Sequence, residues 1–223
     1  MEDAGRRLAD LRITYDIGTL APEDLKPTPL ASFLAWFADA ERAGLPEPNA
    51  MVLATADADG APSSRTVLLK QADARGFVLF TNLTSRKGRD LAVNPRASLT
   101  FPWLALHRQV QVIGRAELLP RPEVDAYFAT RPIGSRLGAW TSRQSEVIPD
   151  REVIETRYAE LEERFGDDIP TPDFWGGWLI RAETVEFWQG RPSRLHDRLR
   201  FRARHPDASL DDAEDWILER LSP

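Results

Sequence analysis

The chain has no cysteine, which excludes disulfides, thiolate metal sites and cysteine nucleophiles. Histidine is nearly as scarce: His107, His196 and His205 are the full complement, and they show no metal-ligand spacing. Lysine is almost missing too. Of 29 basic residues only Lys26, Lys70 and Lys87 are lysine, and every other one is arginine. No apolar run approaches the ~18 residues of a membrane span. The charged opening MEDAGRRLADLR lacks the apolar core of a signal peptide, so a cytoplasmic protein is expected. There is no GxGxxG after a strand, no Walker loop, no GxSxG and no HExxH. Any nucleotide must therefore be held by side-chain cations on a barrel. A net charge of −6 argues against a nucleic-acid surface, so an anion site would need cations gathered locally.

What is present describes an ordinary globule. With 223 residues, 42% hydrophobic and 29% charged, the chain fits one domain with a sizeable core. Residues 1–48 read as an N-terminal arm and helix packed on a main body of 49–223. Leu8, Leu11 and Tyr15 stand at helical spacing, with Arg12 among the cations between them. Pro29 opens a helix through Ala43 with Leu30, Phe33, Leu34 and Phe37 inward, ended by Gly44.

From Asn49 the period becomes alternating. AMVLATAD, RTVLLK and FVLFT read as strands, with QADARG as the hairpin connection between the last two. A helix over about 85–93 stops at Asn94-Pro95. ASLTFPW and RQVQVIGRAELL are further strands, with Val110, Val112 and Ile113 as core candidates. Helices follow from Pro122 to Thr130, from a Ser135 cap through Trp140, and from Asp150 to Phe165, with an irregular loop at 141–149. WGGWLIRAETVEFWQG reads as two strands and DWILERL as the last. At least seven strands without a βαβ rhythm predict a mainly β, α+β fold: an antiparallel barrel flanked by helices.

Two stretches carry chemistry. In Arg65–Gly88, RTVLLKQADARGFVLFTNLTSRKG, alternation sends Arg65, Val67 and Leu69 one way and Thr66, Leu68 and Lys70 the other. Thr84 or Ser85 can cap a helix whose first turn carries Arg86 and Lys87. Free N–H groups, a hydroxyl and two cations make a phosphate site, although a solvated hairpin is an even alternative for this segment alone. In Glu186–Arg198, EFWQGRPSRLHDR, Trp188 offers a flat surface to a heterocycle, Arg194 a planar cation and His196 a titratable donor. A surface turn beside a core tryptophan is the plainer alternative.

RTVLLK, FTNLTSRKG, NPRASLTFPW, RQVQVIG, YFATRPIGSRLGAWTSRQS, FWGGW, EFWQGRPSRLHDR and the terminal RLSP together resemble the pyridoxamine/pyridoxine 5′-phosphate oxidases, in order from about Arg12 to Pro223. The resemblance implies an FMN-binding split β-barrel, a homodimer with FMN at the subunit interface. It implies cofactor contacts from Arg65, Thr66, Val67, Leu68, Leu69, Lys70, Phe80, Thr81, Arg86, Lys87, Gln109, Gln144, Ser145, Trp188 and Arg198. The substrate's phosphate would be held by Lys70, Tyr127, Arg131 and Ser135. Arg194 and His196 would lie over the reacting carbon, with Arg12 and Tyr15 on an arm that closes on substrate. Many relatives carry tyrosine where this chain has Phe80. The implied reaction oxidises pyridoxamine or pyridoxine 5′-phosphate at C4′ by hydride transfer to flavin N5, with O2 reduced to hydrogen peroxide. It needs no metal and no partner beyond substrate, O2 and a second copy of the chain. A phenazine-type oxidase and a non-catalytic flavin-binding barrel are the competing readings; the first tends to lose the Lys70 and Tyr/Arg/Ser set that is present here.

Overall fold

The computed structural model describes residues 10–11 and 13–223. Of the helically spaced Leu8, Leu11 and Tyr15, Leu8 lies outside the described residues, as does Arg12; residues 13–16 carry no regular structure. Helix α1 is Pro29–Arg42, with Thr28 Oγ1 accepting from Ala31 N. Its inward face is Leu30, Phe33 and Trp36, whereas Leu34, expected inside, is exposed. The strands are β1 (Ala50–Ala56), β2 (Pro62–Leu68), β3 (Gln71–Asp73), β4 (Gly76–Asn82), β5 (Arg96–Trp103), β6 (Arg108–Leu118), β7 (Trp175–Gln189), β8 (Asp197–Ala203) and β9 (Trp216–Leu221). The remaining helices are α2 (Arg86–Val93), α3 (Arg121–Ala129), α4 (Ile133–Thr141) and α5 (Glu152–Phe165).

Every strand pairing is antiparallel, in the order β2-β1-β5-β6-β7-β4-β3, with β8 on β7 and β9 on β8. β2 and β3 stand at opposite ends of that path yet adjoin in sequence, so the sheet must curl on itself. At the crossing, Leu69 N donates to Asn49 O and Lys70 N to Val78 O, each at 2.9 Å. The hairpin expected between RTVLLK and FVLFT is therefore not formed. Gln71–Asp73 is itself a strand, and it is this short β3 that turns back into β4.

Alternation fills the barrel. Met51, Leu53, Phe77, Leu79, Leu99, Phe101, Val110, Val112, Ile180 and Phe187 are sealed inside, and Phe33 and Trp36 of α1 join the same core. Val78 and Leu179 face outward into a second, smaller cluster with Val124, Phe128, Leu137 and Trp175. This outer cluster docks α3 and α4 against β4 and β7. Ile113 is not in the core: Val110 and Val112 point inward, so plain alternation puts Ile113 outside, and the register shift beside it comes from an extra residue, Glu183, on β7. The strand facing the bulge requires glycine: a Cβ at Gly114 would lie 1.9 Å from Arg181 O.

Three further differences bear on the site. Trp175–Gln189 is one fifteen-residue strand rather than two, its first half pairing with β4 and its second with β8. β8 was not expected at all. Ser135 lies inside α4, whose N-cap is Pro132, so its hydroxyl is not consumed as a cap.

Candidate active site

The sheet closure brings β2, the outer end of β4, the start of α2, and α3 and α4 around one cleft of about 990 Å³. Arg65, Thr66, Val67, Leu68, Lys70, Phe80, Thr81, Arg86, Lys87, Tyr127, Arg131, Ser135, Gln144 and Ser145 all line it. Leu69 does not; it alternates inward to the barrel core, and its backbone N–H is bonded to Asn49.

Arg65 is aimed by neighbours that its own segment does not reveal. Its Nη1 donates to Thr55 Oγ1 at 2.8 Å, and Nη2 donates to Ser63 Oγ. Both hydroxyls also donate to Asp90 Oδ2, at 2.6 Å from Thr55 and 3.1 Å from Ser63. Asp90, buried on α2, thus fixes an arginine on β2 through two hydroxyls while its carboxylate stays 4.0 Å from the guanidinium. Burial disfavours the Arg65 charge, partly offset by Asp90, with Arg86 opposing it as a like charge.

Lys87 is the most telling group. Its ammonium is buried and donates to Gln144 Oε1 (2.7 Å), Thr81 Oγ1 (3.0 Å) and Ser85 Oγ (3.3 Å), all neutral acceptors. Burial first, and the Arg65 charge second, pull its pKa down to about 8. A buried cation without a counter-charge is costly, and an anion in the cleft would relieve it. Ser85 caps α2, accepting from Gly88 N, and Ser145 Oγ accepts from Arg86 N at 3.2 Å.

Tyr127, Arg131 and Ser135 form a second polar group with Lys70. α3 presents Tyr127, the turn after it Arg131 and α4 Ser135, the two helices held by Phe128 and Leu137 in the outer cluster. Arg131 Nη1 is sealed from solvent and has no hydrogen-bond partner, again fitting an absent anion.

The remaining expected residues lie elsewhere. Gln109 on β6 pairs with Trp188 on β7, and Trp188 pairs with Arg198 on β8. Directly opposed residues share a face, so these three form one row. The adjacent row, Val110, Phe187 and Leu199, is the barrel core. Arg198 is fixed by buried Glu186, Nε to Oε1 at 2.7 Å and Nη2 to Oε2 at 3.1 Å, which raises its pKa. His196 lies on Trp188 with centroids 4.6 Å apart, and Tyr15 packs edge-on against both. His196 Nδ1 accepts from Arg191 N at 3.1 Å, and burial followed by Arg194 lowers its pKa. Arg194 is exposed on a turn in which it and Ser193 have φ of 63° and 57°.

A family model described as pyridoxamine 5′-phosphate oxidase matches residues 37–165. A second, described as the pyridoxine 5′-phosphate oxidase C-terminal dimerisation region, matches residues 175–223. The chain belongs to the pyridoxamine 5′-phosphate oxidase family. The pyridoxine/pyridoxamine 5′-phosphate oxidase of Cupriavidus necator is 55% identical over 217 residues, 97% of this chain and 99% of that one. That of Bordetella avium is 52% identical over 216 residues, with the same coverage. Among solved structures, PhzG from Burkholderia lata, in complex with tetrahydrophenazine-1-carboxylic acid, is similar at a TM-score of 0.81 and 33% identity, covering 92% of this chain and 98% of that one. An FMN-binding, pyridoxamine 5′-phosphate oxidase-related protein from Nostoc punctiforme shares the fold at 0.66 and 18% identity, covering 92% of this chain and all of that one. This family member is an oxidoreductase with a split-barrel fold and FMN as its cofactor, and it carries the family's dimerisation region. The residues present suit that cofactor, since Lys87 and Arg65 make a buried cationic pocket with no carboxylate bonded to the ammonium.

Sequence reasoning missed Asp90, Thr55 and Ser63, whose role appears only once β1, β2 and α2 are folded together. It also left Trp175 without a role, although it lines the cleft. The available signal was the double glycine after it, which leaves room for a ring on the paired strand.

Proposed function

We propose that the protein oxidises pyridoxine 5′-phosphate and pyridoxamine 5′-phosphate to pyridoxal 5′-phosphate. The observation that carries this reading is the second phosphate cradle, Lys70, Tyr127, Arg131 and Ser135, in the same cleft as Arg65, Arg86 and Lys87. Two anionic groups need two sets of donors. When bound, FMN supplies a hydride acceptor for C4′, and O2 takes the electrons on as hydrogen peroxide. The chain's own work is to hold two flat rings together with the reacting carbon in place. Arg65, Arg86 and Lys87 hold the cofactor's phosphate, with Thr81, Gln144 and Ser145 orienting them. Thr66, Val67, Leu68 and Phe80 line the flavin side of the cleft.

The cleft is completed in this reading by the other subunit. Trp175 borders the cleft and Trp188 belongs to the other cluster, yet both lie on β7, thirteen residues or roughly 40 Å of extended strand apart. Gln109, Trp188, Arg198, Arg194 and His196 thus serve the partner's cleft rather than their own. Arg194 cannot act as a base, since guanidinium stays protonated, so it orients the pyridine ring. His196, with Nδ1 accepting from the backbone, carries its proton on Nε2 when neutral and donates from there. Tyr15 stacks edge-on over this pair, as a residue closing on substrate would, and Arg12 is assigned to the same arm.

Likeness of fold to PhzG leaves a phenazine-type substrate as the second reading. Oxygen consumption by the FMN-loaded protein separates them. Turnover of the two vitamin phosphates, with peroxide formed and tetrahydrophenazine-1-carboxylic acid left unused, is the expected result. The reverse preference, or flavin binding without turnover of any of the three, would overturn the proposal.

A further inference from the structure

Arg131 has no acidic partner among the described residues. Its guanidinium lies instead over two rings, 4.8 Å from the centroid of Trp175 and 5.4 Å from that of Phe128. A carboxylate would hold the side chain equally firmly, but it would occupy the donors and neutralise the charge that an anion needs. Aromatic faces hold a cation through the ring quadrupole and leave its N–H groups free. The unpartnered, solvent-sealed Nη1 is the visible result.

The same indole governs Tyr127. Trp175, Phe80 and Tyr127 are parallel to within 10°, with Phe80 4.0 Å from Tyr127 and 5.4 Å from Trp175. Phe80 can lie flat because its cross-strand partner is Gly177; a Cβ there would come within 2.9 Å of its ring. Two of the four cradle side chains therefore take their orientation from one residue of β7.

We propose that Trp175 is the positioning residue of the phosphate cradle, setting Arg131 by its π face and Tyr127 through the stack with Phe80, and so sets the preference for phosphorylated over unphosphorylated substrate. The proposal rests on the cradle reading given above. In the FMN-loaded dimer, Trp175→Leu should raise KM for pyridoxine 5′-phosphate roughly 5- to 30-fold, the upper part of the range spanned by cation–π contacts, as fits a guanidinium shielded from water. Its kcat should change by less than about twofold, and kcat/KM for unphosphorylated pyridoxine should stay near the parent's. Trp175→Phe keeps a ring face and should recover most of the loss. Gly177→Ala leaves Trp175 unchanged but presses on Leu119 and Phe80, 2.6 and 2.9 Å from the added Cβ; at full flavin occupancy, checked by absorbance, it should also raise KM mainly for the phosphorylated substrate, and it serves if Trp175→Leu does not fold. Equal losses on both substrates, an effect confined to kcat, unaltered kinetics, or a Phe variant as impaired as the Leu variant would each overturn the proposal. Titration with pyridoxal 5′-phosphate and with pyridoxal provides a readout that does not depend on turnover. If the parent oxidises neither substrate, the functional reading fails on its own. The positioning proposal then stands or falls on whether Trp175→Leu weakens only the phosphorylated ligand.

Discussion

Lys87, assigned to the cofactor's phosphate, makes a prediction that can be measured in protons. Its folded pKa of about 8 lies below the ordinary 10.5, so between those values the unfolded chain binds the proton that the native, flavin-free protein has shed. Stability of the flavin-free protein therefore rises with pH across that window, relative to a Lys87→Met variant. A bound phosphate reverses the preference by stabilising the ammonium. FMN binding should be insensitive to this group below about pH 8 and take up a proton above it, weakening towards about tenfold per pH unit. Calorimetry at pH 9 in two buffers of unlike ionisation enthalpy measures that proton directly. Proton-neutral binding by the parent, or the same uptake by Lys87→Met, would contradict the assignment. Lys70 makes a different prediction. Lys70→Ala removes one charge-assisted bond of ~1.5–3 kcal/mol, so affinity for pyridoxine 5′-phosphate should drop roughly 10- to 100-fold. Pyridoxine should be little affected, provided flavin occupancy, checked by absorbance, is unchanged; equal losses on both would show that Lys70 does not read the phosphate.

At the scale of elements, β7 ties the core, the cleft and the second cluster together. It pairs with β4, β6 and β8, and its own bulge at Glu183, opposite Gly114, interrupts the long β6–β7 ladder. Gly114→Ala forces a methyl group against the Arg181 carbonyl and should cost about 1–3 kcal/mol, as overpacking does. A urea midpoint indistinguishable from the parent's would mean the bulge tolerates a side chain. This element also marks what was legible beforehand. Alternation and turn residues located seven of the nine strands among the described residues, missing β3 and β8, and the density of cations in Arg65–Gly88 pointed to an anion site. Pairing was not legible. QADARG does turn back locally, as β3 into β4, whereas the barrel is closed by the switch from Leu69, bonded to Asn49 beside β1, to Lys70, bonded to Val78 on β4, which no local pattern encodes. Nothing local in WGGW says what its double glycine faces; in the sheet it lies under Phe80 and Leu83. Asp90 sat in plain view within the expected helix, and only the fold shows that it aims Arg65 from beneath.

For the whole molecule, the central question is why a binding residue set should be divided between two places. The cleft holds both proposed phosphate cradles, while the side chains proposed to stack on the flavin and meet the reacting carbon cluster around Trp188 and His196. A twofold dimer resolves this if each chain lends its Trp188 cluster to the other's cleft. Complementation tests that arrangement most directly. Lys70→Ala and Arg194→Ala homodimers should each be nearly inactive on pyridoxine 5′-phosphate. In a mixed dimer one site carries both changes and the other carries neither. Co-refolding equal amounts makes about half of the dimers mixed, so peroxide production should recover to roughly a quarter of the parental value, in proportion to the mixed dimers counted by native mass spectrometry. Mixed dimers that form and bind FMN but stay as inactive as the two separate variants would contradict the account, and each active site would then have to be complete within one chain.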